Sequence, residues 1–170
     1  MKRSLIYLAT ILILTSCGTG LRISKSDFQR IDNHFSGTFS DTSFKSKGKN
    51  YQPLTLTQIF EVFHIKAKTV SLQFNDSGYL QVSFNDSVII YHGKFKKRGY
   101  YEFFLSKRRI AIPPLIPFIY GSRNIDRIRI GLTKNNALIV YNWWVVDGNL
   151  FLFAGGGGGW SIDYFNRTGN

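Results

Sequence analysis

At 170 residues with 44% hydrophobic side chains, the chain has the length of one domain and can bury roughly 68–70% of its unfolded surface, so it needs no covalent staples. One cysteine leaves no intramolecular disulfide to make, and 22 Lys and Arg against 10 Asp and Glu give a net charge of +12, which attracts polyanions.

The chain opens with the basic head Lys2 and Arg3, the apolar run Leu5 to Leu14 and the small residues Thr15 and Ser16, which is the layout of a secretory signal. The run falls short of the roughly 20 apolar residues that a spanning helix needs, so another form of anchor is expected. The stretch "LTSC" (Leu14, Thr15, Ser16, Cys17) resembles the bacterial lipobox. That resemblance implies cleavage of residues 1–16, a diacylglycerol thioether on Cys17 and acylation of the new amino terminus. Several chains together hold a protein durably where a single one is marginal. Gly18 follows the cysteine where the inner-membrane retention signal has Asp, and no acidic run follows. The lipobox resemblance therefore implies an outer-membrane lipoprotein facing the periplasm. In that compartment nucleic acid is not the expected partner of the basic surface; anionic lipid or lipopolysaccharide is.

Residues 17–33 read as a lipidated cysteine and polar tether, and 34–168 as a single domain. "HFSGTFS" is a predicted first strand. "LTLTQIFEVFHI" is the predicted helix: Thr55 and Gln58 stand in capping-box spacing, and Leu56, Ile59, Phe60 and Phe63 share one face. Period two then takes over. Val70, Leu72 and Phe74 alternate with polar residues, as do Leu80, Val82 and Phe84 after the turn "NDSG". "VIIYHGKFKKR" and "YYEFFLSKRRI" continue an antiparallel series with one wet and one dry face. "IPPLIP" interrupts it, because Pro113, Pro114 and Pro117 donate no ladder bonds. Being apolar, this loop is expected either to pack over an open end of the sheet or to touch membrane or ligand. "IDRIRIGLT", "ALIVYNWWVV", "NLFLFA" and "WSIDYFN" complete about eight or nine strands. Closure would remove the edges of so long a meander.

An all-β, up-and-down order with "FSGTFS" first resembles the lipocalin and calycin type of barrel over residues 35 to 166, with Gly37 and Phe39 echoing that family's opening motif. The resemblance implies a closed barrel that holds a small ligand. The whole chain also resembles the small lipoproteins of Gram-negative envelopes.

No catalytic constellation is legible. His34, His64 and His92 lie in different predicted elements, none with a Cys, Glu or second His at ligand spacing, so neither a metal nor another cofactor is expected. The Asp residues mostly occupy turns, where they help the backbone to reverse. "FAGGGGGWS" precedes an alternating strand rather than a helix, and so reads as a flexible turn or a close backbone approach more than a phosphate loop. Trp143 and Trp144, adjacent on a strand, point to opposite faces. Ser87 in "DSV" resembles the acceptor of one periplasmic O-glycosylation system.

Two non-enzymatic functions fit. In one, a small apolar or amphipathic ligand sits in the barrel among Phe74, Phe84, Tyr91, Phe103, Trp143 and Phe151. In the other, the interior is filled and the protein serves an envelope assembly as an accessory subunit through its basic surface. For anionic contacts the candidates are Lys94, Lys96, Lys97, Arg98, Arg108 and Arg109.

Overall fold

The computed structural model describes residues 28–49, 52, 54–62, 67–112, 120–151 and 153–169. Cys17 with its signal, Phe63 and His64, and the three prolines of "IPPLIP" lie outside the described residues. The elements in chain order are β1 (Phe28–Gln29), β2 (Ser36–Ser40), β3 (Lys45–Lys49), α1 (Leu56–Ile59), β4 (Thr69–Phe74), β5 (Leu80–Phe84), β6 (Ser87–Tyr91), β7 (Gly93–Phe95), β8 (Tyr101–Ile112), β9 (Tyr120–Thr133), β10 (Leu138–Leu150) and β11 (Phe153–Phe165).

Every strand pairing is antiparallel, and the strands form two sheets. The larger runs β3-β11-β10-β9-β8-β7, with β1 on the edge of β9; the smaller runs β2-β4-β5-β6. The alternation in the sequence is what builds the small sheet. Val70, Leu72, Leu80, Val82 and Phe84 are buried, while Thr69, Gln73, Ile90 and Val88 face solvent. Opposite them the large sheet offers Tyr101, Phe103, Ile128, Ile130, Leu132, Leu138, Val140 and Phe165, and the two sets make one core.

This arrangement corrects the expected lipocalin-like barrel, because the sheets do not close. The chain passes from β6 to β7 through His92 with no ladder between the two, and β2 meets the far side only through an isolated bridge, Phe39 to Arg167. Strand length is the physical reason. The small sheet has strands of 5 or 6 residues and β8 to β11 have 12 to 14, so the long strands run on past anything they could close against.

The expected helix is a single turn. Thr55 and Gln58 form the capping box, and Asp41 at the end of β2 accepts from Thr57 through both its backbone N–H (2.8 Å) and its hydroxyl (3.1 Å). The turn ends at Phe60, and Glu61 then takes a left-handed φ of 58°. The core begins earlier in the chain than residue 34: Phe28 and Gln29 pair with Thr133 and Leu132, and Ile31 is buried.

The interior is filled by aromatic rings. Phe103 stacks on Phe60 at 6.1 Å and lies 4.8 Å from Tyr91, while Phe74 lies 4.7 Å from Tyr101. Phe103→Ala is therefore expected to cost about 3–5 kcal/mol in urea denaturation, the penalty for a cavity in a core too tightly packed to collapse.

Candidate functional site: the four-stranded arm

Only the first half of the large sheet lies over the core. From the register, the levels Tyr101–Ile130–Val140–Asp163 and Phe103–Ile128–Asn142–Ser161 sit at the base, and ladders then continue level by level to Ile112–Tyr120–Leu150–Phe153. Among the described residues, none of 106–111, 120–126, 144–151 or 153–159 belongs to either hydrophobic core cluster. β8 to β11 thus extend as an arm that neither core cluster of the described residues covers, held by backbone pairing.

The glycine run belongs to this arm and is a strand, not a turn. Gly155, Gly157 and Gly159 oppose Gly148, Val146 and Trp144, so every level finds a ladder partner. At Gly156 a Cβ would meet Val146 O at 2.5 Å and Asp147 Cα at 2.6 Å, whereas Gly155 has open space. Without side chains, β11 leaves a shallow hollow on each face. One of about 480 Å³ lies by Tyr120, Ser122, Leu150 and Phe153; the other, of about 560 Å³, lies by Val145, Asp147 and Asn149.

Charge is concentrated behind the arm's end. Lys107, Arg108, Arg109 and Arg123 are exposed, and Arg123 forks onto Asp147 with Nε to Oδ2 at 3.0 Å. At the base, on the face away from the core, one acid serves several cations. Glu102 takes Arg129 Nε at 2.6 Å and Lys96 Nζ at 2.9 Å, with Arg127 at 4.0 Å. Arg129 lies over the rings of Tyr100 and Tyr141 (5.1 and 5.8 Å), and Arg127 over Trp143 (4.8 Å). These are cation–π pairs in a partly desolvated wall, where such pairs are strongest.

The six candidate ligand-lining residues do not surround one cavity. Phe84 and Phe103 are buried in the core, and Phe74 and Tyr91 pack half-buried against it, with Tyr91 Oη donating to Phe60 O at 2.6 Å. Trp143 lies on the opposite face of the large sheet under Arg127, and Phe151 is exposed at the β10–β11 connection. Trp144 faces the other way, with its ring 4.0 Å from the Cβ position of Gly157. The candidate anionic contacts also separate. Lys94, Lys97 and Arg98 are exposed around the β7–β8 turn and Lys96 is engaged by Glu102, whereas Arg108 and Arg109 lie seven or more residues along β8, about 23 Å away at strand rise. Arg123 is legible as part of the basic run "RNIDRIRI"; what sequence reasoning missed is the uncharged end of the arm as one surface, whose signal is the absence of charge from Ile110 to Ser122 and from Gly148 to Gly159.

His34 and His92 are both exposed, the latter with its ring 4.1 Å from Tyr79. Among the described residues no group of three His, Cys, Asp or Glu converges as a metal site. Ser87 opens β6, half-buried beside the turn at Asn85 and Asp86.

Two carboxylates on the long strands shift in opposite directions. Burial tends to raise the pKa of Glu102, but the hydrogen bonds and charges of Lys96 and Arg129 outweigh it and hold it below the ordinary carboxylate value. Its stabilisation is therefore present above the unfolded pKa and lost as pH falls through the lowered one. Burial, reinforced by the charge of Glu61, pushes Asp126 up to about 6, and its Oδ1 has no hydrogen-bond partner. The folded state then binds the proton more tightly, so stability drops as pH rises from about 4 to about 6. Glu102→Ala should cost about 3–5 kcal/mol at pH 7, because it takes the carboxylate away from the buried Arg129 guanidinium. Asp126→Asn should instead raise stability at pH 7 by about 1–2 kcal/mol, and abolish the loss between pH 4 and 6, in denaturation midpoints measured across pH.

No protein-family model, curated protein or solved structure matches this chain.

Proposed function

We propose that this protein is a non-enzymatic, lipid-anchored lipoprotein of the bacterial envelope, attached through acyl chains on Cys17 to the outer membrane and facing the periplasm. It acts there as an accessory subunit that presents an exposed surface from a filled scaffold. The anchor rests on the sequence "LTSC" and its place after a basic head and an apolar run. The accessory role rests on one observation above all: Phe39, Phe60, Tyr101, Phe103 and Phe165 are each less than 2% exposed, so their area is committed to the core rather than offered to a ligand. What the fold presents outward is positive charge and the arm.

Two measurements test the reading. Radiolabelled palmitate should be incorporated into the wild-type chain in a Gram-negative host and lost completely in Cys17→Ser; labelling that persists in the variant, or never occurs, overturns the anchor. Native mass spectrometry of the purified chain should give the same mass as the denatured chain. A discrete extra mass released on denaturation would restore the small-ligand reading.

A further inference from the structure

We propose that the end of the arm is a second, non-covalent membrane contact: it dips into the interface of an anionic phospholipid bilayer, while the cations behind it meet the lipid phosphates. The last three ladder levels are Ile112–Tyr120–Leu150–Phe153, Ala111–Gly121–Asn149–Ala154 and Ile110–Ser122–Gly148–Gly155. Not one of these twelve residues is charged. Large apolar side chains stand out at the end: Tyr120 is 38% exposed, Leu150 55%, Phe151 63% and Phe153 82%. A tyrosine with exposed aliphatic and phenyl groups is the composition that partitions to the membrane–water boundary.

The charges begin at the fourth level. Arg109 and Arg123 occupy it, with Asp147 engaged by Arg123; Arg108 follows at the fifth and Lys107 at the sixth. Four cations against one anion therefore start three strand rises, or about 10 Å, behind the end. An interfacial segment buries its apolar part about 5–10 Å deep, which brings Arg109 and Arg123 to the phosphate level with Arg108 and Lys107 one and two rises behind them; a cation near an anionic surface strengthens binding about fivefold. The spacing also sets a limit. A spanning strand needs about 9–11 residues, and three uncharged levels fall well short, so the contact is interfacial.

The length of chain between Cys17 and the first described strand agrees, a point that rests on the lipidated Cys17 of the proposed function. Phe28 pairs with Thr133, thirteen residues along β9 from Tyr120, or about 43 Å from the end of the arm. Ten residues lie between Cys17 and Phe28, and the eleven steps reach at most about 40 Å. With the end immersed by 5–10 Å, the acylated cysteine and the arm can engage the same bilayer leaflet.

The test uses the mature chain, residues 17–170, carrying Cys17→Ser and hence no lipid, so that its outcome is independent of the anchor. No described element lies before Phe28. The chain is floated with vesicles of phosphatidylethanolamine containing 30% phosphatidylglycerol. Binding is expected, with about a tenfold loss in Phe151→Ser/Phe153→Ser, as for withdrawal of one or two large apolar side chains, and unchanged thermal unfolding. Arg108→Ser/Arg109→Ser should lose binding to the same vesicles and flatten its salt dependence. As a second readout that needs no destabilising change, the Phe151→Trp variant should shift its emission to the blue on these vesicles and be quenched by brominated acyl chains. The proposal is overturned if the serine variants bind as well as wild type, if brominated chains leave the Phe151→Trp emission unquenched, or if the arm instead mediates pairing of two copies, seen as a dimer in sedimentation that the Phe151→Ser/Phe153→Ser change dissolves without any vesicle binding. Palmitate labelling of the full chain, read separately, decides the anchor whichever way the vesicles answer.

Discussion

Backbone pairing across β8, β9, β10 and β11 is the constraint on which the molecule depends. Over the levels nearest the core it is backed by buried side chains, from Tyr101 and Phe103 through Ile128 and Ile130 to Leu138 and Val140. Beyond them the same ladders continue, and no described residue there belongs to a hydrophobic core cluster. A hairpin alone is marginal in water, and three or more strands with a covered face are needed for independent stability. The arm therefore borrows its order from the base: register set by the core is carried outward by strands already paired. A one-residue slip at the base would turn every side chain to the other face, so the core fixes which residues the distant end presents.

The glycine run shows how the sequence tunes that transmission. Adjacent backbones approach so closely at Gly156 that a side chain would collide with Val146 and Asp147, while Gly155 has room to spare. Packing alone therefore demands some of the glycines and not others. The wall of Arg127, Arg129, Tyr100, Tyr141 and Trp143 does the reverse work at the base. It places large, stiff, charged and aromatic groups where the face turned away from the core would otherwise be thin.

How much of this was legible varies with the kind of signal. The alternation of Val70, Leu72, Leu80 and Val82 is a local pattern, and it yields strands of the expected boundaries and facing. The capping box at Thr55 and Gln58 is likewise local and is present, but the helix stops at Phe60, where Glu61 takes a left-handed φ. β3, with the sequence KSKGK, carries no apolar alternation at all. It is a strand only because β11 offers it an edge, which is tertiary information. Strand length was hardest to read. "FAGGGGG" reads either as a flexible turn, because glycine disfavours strands in isolation, or as a close backbone approach, and the second is what Gly156 makes. Counted as ladder positions, those residues lengthen β11 to 13. Cross-strand neighbours such as Glu102 and Arg129, 27 residues apart, become visible only once the register is known.

The division of the long strands into a covered half and an open half means that the cooperative unit of this protein is smaller than its secondary structure suggests. Leu138 to Asn142 of β10 are buried, and their amide protons are expected to open only with the whole domain, whereas those from the more exposed stretch Val146 to Leu150 are expected to open with fraying of the arm. Along one uninterrupted strand, the free energy of exposing the backbone therefore falls from the global value toward zero over about eight residues. Anything that grips the free end of the arm, by making that end costly to open, adds rigidity that the sequence of the arm does not itself supply.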